Sequence, residues 1–512
     1  MSTAIHKLRI HTAERDAHAV EQRVAALLNA ADLRPRALPP SSILVVRRIG
    51  PGLPPLRVDG HSVRPPADWQ EAVLDALDRL ARLAQRPAGA PVAERAESVL
   101  FLDRAELLAC LAADWVAGTL ASRWWWPDLF PRADLEAAVV RSWLESPEYA
   151  PAAIERLAWT GHAAAFVRKL PGRALPVMAR DVARSFALRD LERAIEIVFA
   201  RAAIPENAIE GEPPSRRTGP SIPVAPPWTP WVPEARVAAL TIGQRAFLGI
   251  ALAFQRAPQA VRDRAFAMQM KIWAHASAAI EAGGLPKPAL ALPALIHKFD
   301  ARAEPVAATS PPEEVPIPAE EVEFVADAEL RPTVEVATAP EFWVERTPFD
   351  GVEIETKLGG IFYLINLGIY LGYYGDFSTP EEPGIDLPIW DFLTLVGRRL
   401  LEEPCAEDPV WGMLARLVGQ ADPEGTPPAN PEFLEPHWDG LDEAMQRINA
   451  WIAAEKVEGL VVMHSARVRL TATHLDVFLT LEELPVEIRI ARLDRDPGWV
   501  PAAGRYIAFH FQ

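Results

Sequence analysis

Cysteine is nearly absent. Cys110 and Cys405 are the only two in 512 residues, so neither a disulfide framework nor a cysteine metal cluster can form, and reduced, structural thiols are expected. Cationic charge is also short, with 52 Lys and Arg against 69 Asp and Glu for a net charge of −17. Counterion release from a polyanion needs the reverse balance, so no nucleic-acid partner is expected. The sequence has no Gly-x-Ser-x-Gly or His-Glu-x-x-His pattern, and Gly359-Gly360 lacks the rest of a dinucleotide or phosphate loop. The first residues, Met1 to Arg9, reach charged and polar side chains before any apolar run could act as a secretory signal. A cytoplasmic protein without metal or cofactor is the expectation.

Large apolar side chains and proline are abundant. Half the residues are apolar, 16 Trp and 19 Phe can fill cores or interfaces, and 50 Pro must interrupt regular structure repeatedly. At this length two or three domains are expected, joined by linkers.

Lys7 to His11 alternates, with Leu8 and Ile10 on one face, and reads as a strand. A helix over Ala17–Leu28, a β-rich run Ile43–Ile49, a second amphipathic helix near Trp69–Leu83 and the apolar Val99–Phe101 complete a small α/β unit over residues 1–103. Residues 104–204 read as a helical domain, with a helix from Arg104 towards Arg123 and others at Asp134–Leu144, Ala152–Lys169 and Pro176–Arg201. Proline is dense over 205–234, which reads as a linker. A helical hairpin, Arg236–Gln255 and Pro258–Ala282, is expected within 235–300. An acidic Pro/Glu-rich linker covers 301–340. The C-terminal domain, 341–512, contains the longest apolar run, Leu358–Phe377, which is read as a buried helix because Asn366, Asp376 and several glycines interrupt it. Helices follow at Trp390–Leu401, Val410–Leu417 and Leu441–Ala454, the last capped by Asp439. Four strands end the chain: Ala466–Ala472, Leu475–Leu481, Val486–Arg492 and Arg505–Phe511. The fold class is therefore α+β, mainly helical, with a four-stranded antiparallel C-terminal sheet.

Candidate functional residues are few. Asp494, Asp496, Pro497, Gly498 and Trp499 form an acidic turn; Pro497 and Gly498 suit the central positions of a type II turn, and no further ligands complete a calcium loop. His474 with carboxylates among Glu487, Asp494 and Asp496 defines an alternative hydrolase reading. His474 and Asp476, two apart on a strand, share a sheet face, and His464 and His510 extend that pair towards a metal site, but no Cys or Glu completes it. Aromatic clusters are the better candidates, as protein interfaces: Trp124, Trp125 and Trp126, which cannot all share one helical face, then Trp228 and Trp231 in the linker, and Phe362, Tyr363, Tyr373 and Tyr374 in the apolar run.

Three blocks carry a family resemblance. Ile43-Leu-Val-Val-Arg-Arg-Ile49, Val99-Leu-Phe-Leu-Asp-Arg-Ala-Glu-Leu-Leu108 and Arg123-Trp-Trp-Trp126 together resemble the start of proteins encoded with phage-tail-like contractile injection systems, including those labelled tape-measure proteins. Gly359-Gly-Ile-Phe-Tyr-Leu-Ile-Asn-Leu-Gly368, and Leu493–Arg505 with Phe509-His-Phe511, look like uncharacterised companions of the same gene clusters. The resemblance covers about half the chain and carries over no catalytic residues. It implies a non-enzymatic assembly or accessory protein, tape-measure-like or a baseplate or cap adaptor, whose partners are sheath, tube or baseplate proteins. A ruler needs sustained heptads over a long helical body, and the proline-broken helices here favour an adaptor. A membrane-associated protein anchored through residues 358–377 is the remaining alternative.

Overall fold

The computed structural model describes residues 17–36, 38–49, 64–130, 134–202, 236–237, 239–256, 352–375, 387–401, 407–418, 438–457 and 463–512, with a few isolated residues between them. Helix α1 (Ala17–Ala30) precedes strand β1 (Ile43–Val46), and α2 (Ala67–Leu83) precedes β2 (Ser98–Phe101). The two strands pair antiparallel, Val45 opposite Val99. α2 buries Val73, Leu74, Leu77 and Leu80, an i, i+4 stripe with further turns between, as the spacing predicts.

Helix α3 (Arg104–Ala117) starts where the Asp103 carboxylate accepts from the Glu106 N–H at 2.8 Å, and ends at Gly118 in the left-handed region (φ 72°). It therefore stops well short of Arg123. After a 3₁₀ turn at Leu120–Ser122, the tryptophan run opens the short α4 (Trp125–Leu129). α5 (Leu135–Leu144) is capped by Asp134. The predicted helix over 152–169 is two, α6 (Ala150–Trp159) and α7 (Ala163–Lys169), because Gly161 turns the chain at φ 71°. A similar break at Ala187 (φ 60°) divides α8 (Ala174–Ser185) from α9 (Arg189–Ala202). α10 (Ile242–Arg256) lies against α6 and α8, and Phe247, Leu248, Ile250 and Ala251 are each within 1% of full burial.

The C-terminal part begins with β3 (Val352–Thr356). The apolar run that follows is not one helix: a 3₁₀ turn at Gly359–Phe362 leads into α11 (Tyr363–Tyr370), and Gly372 at φ 72° turns the chain away. Among the described residues no helix is long and apolar enough to cross a membrane. α12 (Ile389–Leu400), α13 (Pro409–Val418) and α14 (Leu441–Glu455) pack around α11. The N-cap position of α14 is Gly440, one residue after Asp439.

The final sheet is five-stranded and mixed, not four-stranded and antiparallel. Its strands are β3, β4 (Ala466–Leu470), β5 (His474–Leu479), β6 (Gly498–Val500) and β7 (Arg505–Phe511), in the order β3-β4-β5-β7-β6. β5 and β7 run parallel, Val477 opposite Phe509, and the other pairs are antiparallel. The predicted strand Val486–Arg492 is instead helix α15 (Val486–Ile490), preceded by Pro485, which buries only Ile488. Its alternating pattern is too short to separate the two periods.

One apolar cluster sits among α3, α5 to α8 and α10, and a second lies between the inner sheet face and α11 to α14. All described residues belong to one compact unit. The strand at Lys7–His11, the linkers over 205–234 and 301–340 and, apart from Val261 and Phe266, the helix Pro258–Ala282 lie outside the described residues.

Candidate functional site

Cross-strand register sorts the sheet into two faces. Val468, Leu470, Leu475, Val477 and Ile507 point inward and are 0 or 1% exposed. The other face carries Glu353 and Glu355 of β3, Arg467 and Arg469 of β4, His474, Asp476 and Phe478 of β5, and Tyr506 and His510 of β7. On it Arg467 binds Glu353 at 3.2 Å and lies over the Phe478 ring, 4.4 Å from its centre. Phe478 stacks on His510 at 4.7 Å, and His510 Nε2 meets Asp476 Oδ1 at 2.8 Å. Asp476 is 2% exposed. Beside this face, past the ends of β3, β4 and β5, opens a cleft of about 1000 Å³ lined by Glu355, Lys357, Asp408, Arg467, Phe478 and Gln512.

The other end of the same face is closed by the helical part. The fully buried Asp103 carboxylate accepts from Thr473 Oγ1 at 2.6 Å and Thr471 Oγ1 at 3.3 Å, in the turn joining β4 to β5. Thr473 has given Asp103 its one hydroxyl proton, so it accepts from His474 Nδ1 at 2.9 Å, which places the proton of the neutral imidazole on Nδ1. His474 lies against Tyr149 and Tyr506, with ring centres 6.0 and 5.2 Å away. Burial lowers its pKa below the ordinary value, opposed by Asp103 and Asp476 and reinforced by Arg505. Arg505, donating from Nε to Thr471 O at 3.3 Å, is itself brought down to about 10 by burial, with Glu155 opposing. Tyr506 donates to Glu148 at 2.9 Å, and burial pushes its phenol pKa up. Next to Asp103, Glu106 is fully buried and held by Arg86 at 2.7 and 2.9 Å.

The residues of the hydrolase reading do not come together. Glu487 is exposed on α15, Asp494 pairs with Arg489 at 3.5 Å, Asp496 accepts the Phe509 N–H at 2.6 Å, and His474 is enclosed by tyrosines. In the predicted acidic turn Gly498 takes φ 71° as the first residue of β6, and Trp499 donates to Ser185 O at 2.8 Å while packing edge-on against Phe186. Asn366 fastens the same segment by donating to Leu493 O and Arg495 O, each at 2.8 Å. Among the described residues no group of His, Cys, Asp and Glu is placed to hold a metal ion.

The aromatic candidates are mostly interior. Trp125 and Trp126 are buried, and Trp126 donates to Asp114 at 2.8 Å; Trp124 alone of the three is half-exposed, under Arg47. Phe362, Tyr363, Tyr373 and Tyr374 are also core residues, so none of the four presents an interface on this fold. Trp228 and Trp231 lie outside the described residues. Exposed large apolar side chains lie elsewhere: Leu83 (70%) and Met463 (51%) stand out, and Val486 (64%) and Ile490 (68%) share α15, with Leu481 (47%) just before it. Sequence reasoning missed the α15 pair because a strand would have put both on a sheet face. Asp391 was also missed: it is buried in the first turn of α12, and burial raises its carboxyl to about 6.

No family model, no curated protein and no solved structure matches this chain.

Proposed function

We propose that this chain is a non-enzymatic assembly or accessory protein of a contractile injection system, working as a baseplate or cap adaptor through protein–protein contacts. The observation that carries the reading is the exposed apolar surface of α15. Val486 and Ile490, one helical turn apart, face solvent, while Ile488 and the acidic turn behind them are anchored in the core. A rigidly mounted apolar pair among Glu487, Arg489 and Arg492 has the make-up of an interface centre with a polar rim. The sequence blocks at 43–49, 99–108, 123–126, 359–368 and 493–511 supply the choice of particle. Helix lengths favour an adaptor over a ruler, since the longest described helix, α2, has 17 residues, about 25 Å.

Deleting the gene and imaging particles by electron microscopy tests the reading. Fewer or misassembled particles are expected, together with co-purification of the tagged chain with sheath, tube or baseplate proteins. Particles of normal number, length and firing would sink it.

A further inference from the structure

We propose that the outer edge of β3 is a docking site for an extended segment of a partner protein in which basic residues alternate with apolar ones, added as a sixth strand. The proposal rests on the assembly reading and gives the chemistry of one partner. Among the described residues β3 has a single strand neighbour, β4, whereas the opposite edge strand, β6, is only three residues long and is tied to the helical part through Trp499. Strand residues direct their N–H and C=O groups to the two sides alternately, so, among the described residues, two or three of the five in β3 are open to main-chain pairing on the outer side, up to Lys357, whose N–H is already bonded by Asp408 at 3.0 Å.

Burial on the inward face is unfinished at this edge. Val352 and Ile354 are half-buried, while their register partners Leu470 and Val468 are 1% and 0% exposed. An added strand with apolar residues on that face would complete the layer.

Charge selects the partner. On the outward face sign alternates from strand to strand: Asp476 on β5, Arg467 and Arg469 on β4, then Glu353 and Glu355 on β3. Opposite charges across adjacent strands stabilise a pair and like charges oppose it. The next strand in the series is basic. The same rule disfavours a second copy pairing through β3, because that would set glutamates against glutamates. The cleft past the end of β3, with Glu355 in its wall, leaves room for the entering chain.

The test uses the purified full-length protein and a labelled nonapeptide alternating Lys or Arg with Val, followed by fluorescence anisotropy and by amide hydrogen exchange of β3. Binding with slowed exchange at Glu353 and Glu355 is expected. The double substitution Glu353→Gln, Glu355→Gln, which removes the acidic charge without setting like charges opposite Arg467 and Arg469, should weaken binding at least tenfold. A peptide of the same composition with its basic residues grouped, or one N-methylated at alternate amides, should bind at least tenfold more weakly. Equal binding of either control would overturn the proposal, since charge without a strand ladder would then explain it. Residues Lys7–His11 carry this basic–apolar alternation in the chain's own sequence. Peptide binding that appears only in a Lys7→Glu, Arg9→Glu variant would make that segment the occupant and overturn a separate partner. If the peptide does not bind at all but the chain co-purifies with particle proteins, this edge is excluded and the assembly reading stands.

Discussion

At the residue scale Asp103 joins two regions far apart in sequence, capping α3 with one oxygen and receiving two threonine hydroxyls with the other. Asp103→Ala removes the cap and leaves those buried hydroxyls without their acceptor, an expected loss of about 3 kcal/mol in urea unfolding. His474 and Asp391 set opposite pH limits. His474 has a folded pKa below its ordinary 6.5, so its contribution is present above that pH and is lost as pH falls through the lowered value. His474→Phe keeps a ring between the tyrosines and should flatten the acid side of a Tm-versus-pH curve; an unchanged slope would exclude His474 as its source. Asp391 is raised from 3.8 to about 6, so its contribution is complete below 3.8 and is lost as pH rises through about 6. Asp391→Asn should accordingly stabilise the protein at pH 8, by about 1 kcal/mol once solvent screening is allowed for, measured by the shift in the urea midpoint. Sequence alone placed His474 and Asp476 on one sheet face correctly. It could not foresee Asp103, whose partners lie some 370 positions away.

At the scale of elements, most helices and the strands β4, β5 and β7 were legible, because their apolar spacing spans several turns or alternations. The misreadings have specific causes. Gly161 and Ala187 break helices that spacing alone would continue, and β6 is too short to show a pattern. The run Val-Glu-Ile-Arg-Ile satisfies a strand, yet Pro485 at the helix cap and the burial of Ile488 alone make it α15. Because Val486 and Ile490 face solvent, Val486→Ser with Ile490→Ser should change folding stability by no more than about 0.5 kcal/mol. Co-purification with particle proteins should fall sharply in the same variant. A variant that folds and still co-purifies at the original level would remove α15 from the interface.

On the scale of the whole molecule, the helical part meets the sheet, among the described residues, at Asp103 with Thr471 and Thr473, at Glu148 and Tyr149 with His474 and Tyr506, and at Ser185 and Phe186 with Trp499. Apart from Ala472 and Trp499, which pack into the helical cluster, each apolar cluster is filled by its own elements. The combined variant Asp103→Ala, Tyr506→Phe, Trp499→Phe should therefore separate unfolding into two steps by calorimetry where the original protein shows one, and a single lowered transition would refute that division. The strand order has a further consequence for synthesis. β7 follows every other strand in the chain, yet it lies inside the sheet between β5 and β6. Until residues 505–511 have left the ribosome, Leu475, Val477 and Leu479 stand on an uncovered edge whose partner does not yet exist. Nascent chains stalled before Arg505 should thus recruit holding chaperones or aggregate, and those carrying an added C-terminal linker long enough to bring Phe511 clear of the exit tunnel should not.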